Sequence, residues 1–110
     1  MANTYKRLGA INPSANTQTN VYVVPAATSA VVSTIAICNQ SSTNASYSII
    51  VMPTYAASAS AVDYIVRGAV VPAADTIFLT IGLTANANTV FAANTGNANI
   101  SFAIFGSELT

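Results

Sequence analysis

The sequence predicts an all-β fold: a single-domain antiparallel β-sandwich, jelly-roll-like, with about seven or eight strands. Three observations lead to this prediction. Apolar and polar residues alternate with a period of two, short stretches rich in Pro, Asn and Ser separate the alternating runs, and the chain has 110 residues, which suits one domain. At this length folding buries roughly 65% of the surface of the extended chain, so one core needs no disulfide.

Each alternating run predicts one strand. β-branched and aromatic residues fill these runs, and they suit a pleated, half-buried surface. The first run is a possible edge strand within an N-terminal arm, residues 1–18, and we leave open whether it pairs within its own chain or with a neighbour. The runs are Tyr5–Leu8, Thr19–Val24, Ala30–Asn39, Tyr47–Met52, Asp63–Ala69, Asp75–Ile81, Asn88–Ala93 and Asn99–Phe105.

Alternation within the runs predicts which side chains face the core. Strict alternation along the third run places Val31 on the face of Ile35 and Ile37. Cys38 lies mid-strand on the other face, beside Ala36 and Val32, and we predict that it is a small core residue. In the fourth and the last run, alternate apolar residues predict one face of the strand that packs into the core. Their predicted inward side chains are Tyr47, Ile49, Val51, Ile100, Phe102 and Ile104.

Two segments between strands stand out. Residues Pro53 to Val62 have no clear period, which predicts a long loop with at most one helical turn and a candidate contact loop. The sequence VVPAA occurs at Val23–Ala27 and again at Val70–Ala74. We interpret the repetition as one favourable turn used twice, in preference to a duplicated half-domain, because the flanking strands match only in pattern.

The composition excludes several classes of function. Only 5% of the residues are charged, with three cations and three anions, and the chain has no histidine and one cysteine. Three cations cannot form a basic face for nucleic acid or a polybasic membrane anchor. With no histidine as a base, and with Lys6 the only lysine, we predict no enzyme, no metal and no cofactor. The N-terminus MANTYKRLGA lacks a secretory signal, so we expect the chain to be made and to stay in a cytosol.

Four residues are candidate interface residues: Tyr5, Lys6, Arg7 and Tyr55. The first three would let an N-terminal arm dock on an acidic neighbour, or would only protect an edge strand from aggregation. Tyr55 in the long loop could contact a partner or stack on a sugar, although without tryptophan a glycan site has thin support.

The remaining charged residues have structural interpretations. Asp63 and Asp75 stand at strand starts, where aspartate closes a turn through its side chain. Arg67 could pair with Asp63 or Glu108, which would imply no function. A surface so poor in charge is unusual for a separate cytosolic monomer, and we expect it to be covered in a homo-oligomer or a particle.

Both ends of the chain carry a resemblance. The segments TYKRLG at residues 4–9, VYVVPA at 21–26, ICNQ at 37–40 and SFAIFGSELT at 101–110 make the chain similar to small virion structural proteins of tailed bacteriophages, especially those of marine cyanobacteria. The resemblance implies a non-enzymatic capsid decoration protein of the virion, with the major capsid protein, other virion proteins and further copies of itself as partners. The chain is less charged than we expect of that family.

Two alternatives remain open at this stage. One is a tail, neck or fibre component with the same fold, and the other is a carbohydrate-binding adhesion module. For the decoration protein we predict that deleting residues 1–8 releases it from particles and leaves the sandwich folded.

Overall fold

A computed structural model describes residues 3–55 and 58–110. These residues form eight strands and one short 3-10 turn at Ala61–Asp63. No helix within this part of the chain is long and apolar enough to cross a membrane. The strands are β1 Asn3–Ile11, β2 Thr19–Val23, β3 Ser29–Asn39, β4 Ala45–Met52, β5 Tyr64–Val71, β6 Thr76–Ala85, β7 Val90–Thr95 and β8 Ile100–Leu109.

The strands form two four-stranded antiparallel sheets. Sheet I has the order β1-β8-β3-β6, and sheet II has the order β2-β7-β4-β5. The first strand pairs with the last, the second with the seventh, the third with the sixth and the fourth with the fifth. This nested pairing, divided between two sheets, is the jelly-roll arrangement. The predicted fold class is therefore confirmed.

The core lies between the sheets. The predicted inward faces of β4 and β8 are both confirmed, with Tyr47 and Ile49 from sheet II packing against Phe102 and its neighbours from sheet I. The rings of Tyr47 and Phe102 meet across the core with centroids 6.4 Å apart. The largest fully buried side chains are Phe91, Phe102, Ile35, Ile37, Ile50, Met52, Ile100, Ile104, Val24, Val32, Val71 and Val90.

A β-bulge in β3 overturns part of the predicted pattern. The register of β3 against β8 and β6 shifts between Val32 and Thr34. Against β8 the extra residue is Ser33 of β3, and it changes the face of every residue before it, so Val32 joins Ile35 and Ile37 in the core while Val31 is only half-buried. The prediction that Cys38 is a core residue is also wrong, because Cys38 is half-buried and follows the inward-facing Ile37.

The outer face of sheet II carries a second, smaller apolar cluster. Ile50 and Met52 of β4 lie there beside Val90 and Ala92 of β7, and Ala59 from the β4–β5 loop packs onto them. The helical turn expected in this loop is present as the 3-10 turn at its end. The loop therefore covers the outer face of its own sheet, and residues 56–57 of it lie outside the described part.

The repeated VVPAA segments make the same sheet-to-sheet connection twice, from β2 to β3 and from β5 to β6. The second alanine of each copy has a positive φ, 56° at Ala27 and 53° at Ala74. The shared left-handed alanine supports one turn used twice.

Candidate interaction surface

One side of the sandwich brings two edge strands to the surface. β5 is the last strand of sheet II and β6 the last strand of sheet I in the described residues. The side chains of Ile77, Leu79 and Ile81 on β6 pack against the core yet remain partly exposed, as does Val66 on β5. We call the surface formed by β5 and β6 the open side.

The opposite side of the sandwich is closed. There β1 passes so near β2 that a Cβ added at Gly9 would lie within 2.3 Å of the Val21 carbonyl oxygen. This approach brings the two sheets together along β1 and β2. The edge of the core is therefore accessible to another chain at the open side, where core-packed residues of β5 and β6 are partly exposed.

Strand β6 lacks charge and proline, two of the features that usually protect an edge strand, although Ile81 and Gly82 both lie opposite Ser33 at a register shift with β3. Its ten residues, TIFLTIGLTA, include no charged residue and no proline. Phe78 on its outer face is 66% exposed. An edge strand presents backbone N–H and C=O groups in a row, and natural proteins usually block such an edge with lysine, proline or a covering segment. β5 is better protected, because Arg67 lies on it and Gly68 bends it with a φ of 68°.

The predicted N-terminal residues lie on strand β1, at the other edge of sheet I. Residues Asn3–Ile11 pair with β8 of the same chain, so the possible edge strand is formed and the arm is not detached. Tyr5 is 78% exposed, and Arg7 is also exposed. Deletion of residues 1–8 would therefore remove most of an integral strand, which argues against the prediction that the sandwich stays folded without them.

Lys6 belongs to a small polar cluster that joins both sheets. Its Nζ lies 2.9 Å from Glu108 Oε1, and the Tyr22 hydroxyl donates to Glu108 Oε2 at 2.5 Å. The hydrogen bonds from Tyr22 and Lys6 lower the pKa of Glu108, whereas burial and the adjacent carboxylate raise the pKa of Tyr22. Glu108 therefore pairs with Lys6 and not with Arg67, and the charge of Lys6 is balanced within the chain.

The tyrosines divide between core and surface. Tyr22 and Tyr47 are buried, and Tyr64 lies beneath the Arg67 guanidinium, whose carbon is 4.5 Å from the ring centroid. Tyr55 is 63% exposed in the β4–β5 loop. Tyr55 follows a strand of sheet II, whereas Tyr5, Lys6 and Arg7 lie on β1 of sheet I.

A shallow polar cleft lies on the outer face of sheet II. Its volume is about 170 Å³. Hydroxyl and amide groups dominate its walls, and its lining is neutral. Such a surface suits a neutral hydrogen-bonding ligand, although Tyr55 is not part of it. The lining residues are Asn16, Ser46, Tyr47, Ser48, Asn94, Thr95 and Gly96.

The carboxylates are engaged in structural contacts. Asp63 accepts from the Ser60 N–H at 3.1 Å and closes the turn before β5, as predicted. Asp75 accepts from the N–H of the adjacent Thr76 at 2.8 Å, a bond that does not span a turn. Across residues 3–55 and 58–110, no three His, Cys, Asp or Glu side chains come together as a metal site.

The sequence interpretation missed both the open side and the cleft. A signal for the open side existed, since residues 76–107 contain no charged residue. That stretch covers three strands, however, and only the strand order shows that β6 is the edge.

Comparison of the chain with protein-family models, with curated proteins and with solved structures finds no match.

Proposed function

We propose that this protein is a non-enzymatic structural component of a tailed-phage virion, a capsid decoration protein that binds the outer shell in several copies. The observation that carries the proposal is strand β6, a ten-residue uncharged edge on a jelly roll with few charges anywhere. Such an edge needs a covering partner. The resemblance of both chain ends to small virion proteins supports a particle as the place where that partner is found.

Binding would rest on apolar contact and on backbone hydrogen bonds. An edge strand binds another chain by strand addition, in which main-chain hydrogen bonds give affinity and alternate side chains give specificity. Neutral contacts of this kind depend little on salt concentration. Arg7 of β1 supplies the exposed cation for orientation on the shell, because Lys6 is already paired with Glu108.

The location of the protein in purified particles tests the proposal. We expect electron microscopy of particles carrying a tagged chain to show signal over the head, in many copies. Signal confined to the tail, neck or vertex would favour the alternative tail or fibre component. Absence of the chain from washed particles would overturn both assignments.

A point variant on β1 tests the shell contact without removing the strand. We expect Arg7→Ser to lower occupancy on particles while the sandwich keeps its melting temperature. The control is Asn20→Ser, an exposed position on the edge strand of the other sheet. Equal occupancy for all three proteins would show that Arg7 does not contact the shell.

The polar cleft favours one second candidate, a carbohydrate-binding adhesion module, since jelly rolls also occur in lectin domains. A glycan array would reveal such binding. Loss of binding in Asn94→Ala with retention in Tyr55→Ala would place the glycan in the cleft, and the reverse result would place it at the β4–β5 loop. A blank array would eliminate this candidate.

A further inference from the structure

The residues of β6 are complementary to a second, antiparallel copy of the same strand. When a two-fold axis passes through Thr80, each residue faces the one whose number brings the sum to 160. Thr76 then faces Thr84, and Thr80 faces its own copy, which forms Thr–Thr pairs of the kind that stabilise antiparallel strands.

In the same register the largest side chain on the outer face of β6, Phe78, lies opposite Gly82, the position on that face without a side chain. Phe78 faces Gly82 of the second copy, so an aromatic ring that is 66% exposed would lie over a residue with no side chain. A Cβ added at Gly82 would meet nothing within 4 Å, and its φ is not positive, so neither packing nor backbone conformation within the chain requires glycine there. Aromatic cover over an edge glycine is a known means of fixing strand register.

The inner face also matches. Ile77 would face Leu83 of the second copy, and Leu79 would face Ile81, so the partly exposed apolar residues of the open side would cover one another. Ile81 and Gly82 of β6 both lie opposite Ser33 of β3 at a register shift, but exposed and half-buried residues still alternate along β6 there. The free edge of β6 therefore keeps the regular period that the pairing requires.

Charge places no obstacle to this pairing. β6 has no charged residue, and Asp75, which directly precedes the strand, would face the uncharged Ala85 of the second copy. No like charges therefore meet across the axis.

We propose that two copies of this chain join edge to edge through β6, in antiparallel register about Thr80, so that the two copies of sheet I form one eight-stranded sheet. This proposal takes one element from the proposed function, namely that several copies of the chain come together, so that a second copy is the partner that covers β6.

The size of the contact indicates a concentration-dependent dimer. Each Phe78 leaves about 130 Å² exposed, taking an aromatic side chain as roughly 200 Å². The paired segment is nine residues, or about 30 Å, long. The two Phe78 side chains add about 260 Å² and each copy contributes a single strand, so the contact is smaller than a standard interface of about 1,600 Å². We therefore expect the dimer to form at high protein concentration or at the high local concentration of a particle.

Cysteine cross-linking tests the register directly. In either type of antiparallel pair, facing Cα atoms are about 4.5 or 5.5 Å apart, within the range that a disulfide spans. We expect Thr80→Cys, in a Cys38→Ser background, to give a disulfide-linked dimer under mild oxidation. The background removes the native thiol, which lies opposite Thr76 on the neighbouring strand.

Two matched variants give the control. Thr76→Cys and Thr84→Cys lie on the same face of the same strand, but each would be about 27 Å from its own copy. We expect neither to cross-link alone and the two mixed together to cross-link. Circular dichroism verifies that each variant is folded before oxidation.

The outcomes separate the proposals. Cross-linking by Thr80→Cys about tenfold or more faster than by Thr84→Cys alone supports the dimer. Equal rates, or an unlinked mixture of folded Thr76→Cys and Thr84→Cys chains, overturn it. Because the experiment uses the purified chain without particles, its failure leaves the virion assignment to be decided by particle location.

Discussion

Replacement of Gly106 by alanine probes the close packing of the two central strands of sheet I. Gly106 in β8 pairs with Val32 of β3. A Cβ at this glycine would lie 2.0 Å from the Val31 carbonyl oxygen and 3.0 Å from the Val32 Cα. These are backbone atoms of a central strand, so a change of rotamer cannot relieve the overlap, and the strands must move apart.

The magnitude follows from the size of the overlap. Ordinary contact for a Cβ begins at 3.4 Å, so the oxygen lies about 1.4 Å too close. Overpacking costs about 1–3 kcal/mol, and we place Gly106→Ala at the upper end because two paired backbones must part. For a domain of this size, about 3 kcal/mol corresponds to a fall in melting temperature of about 15 °C.

Thermal denaturation followed by circular dichroism measures the effect, with Gly82→Ala as the matched control on β6. We expect the control to be neutral or more stable by about 0.5 kcal/mol, because its Cβ meets nothing within 4 Å and alanine restricts the unfolded chain. A melting temperature for Gly106→Ala within about 3 °C of the parent would refute the close approach of β8 and β3.

Three further predictions concern buried amides, turns and pH. Asn39→Asp should lower the free energy of unfolding by about 3 kcal/mol, because the buried Nδ2 donates to three carbonyl oxygens that a carboxylate would repel; Asn44→Asp should be near neutral in the same denaturant titration, since only Oδ1 of Asn44 accepts a hydrogen bond. Ala74→Gly should gain about 0.5 kcal/mol by relieving the positive φ, whereas Ala73→Gly should lose stability in thermal melts. Glu108→Gln should destabilise the fold at pH 7, and the difference in stability from the parent should shrink as the pH falls below 4.5. The reason is that the pKa of Glu108 is lower in the folded chain than in the unfolded chain, so its ionised carboxylate stabilises the fold fully above pH 4.5 and loses this effect as the pH falls through the folded-state pKa.

Each of these predictions has a contrary result. Equal losses for the Asn39 and Asn44 variants would show that the donor contacts of Asn39 are not what matters. A loss in Ala74→Gly would argue against strain at the turn. A stability difference for Glu108→Gln that stays constant from pH 7 to well below 4.5 would remove the linkage.

The sequence by itself determined the strands and most of their faces. Each of the eight alternating runs became a strand, because a period of two with β-branched and aromatic residues is a local property that favours extended backbone. The length of β1 was not local: the run Tyr5–Leu8 extends to Asn3–Ile11 because β8 offers a partner along that whole span.

The prediction of which side chains face the core was wrong where a bulge interrupts the alternation of β3. The bulge at Ser33 exchanges the faces of Val31 and Val32, and nothing in the alternation of β3 marks it, because a bulge depends on the register with neighbouring strands.

Only the tertiary structure decided which surfaces are available for function. It made β6 an edge and β3 a centre, although both are uncharged and apolar. It also brought Tyr22 to Glu108 across 86 residues and balanced the charge of Lys6. Strand order and such contacts arise from pairings between distant segments, so the composition of one segment cannot specify them, whereas the alternation that defines a strand is contained within the segment itself.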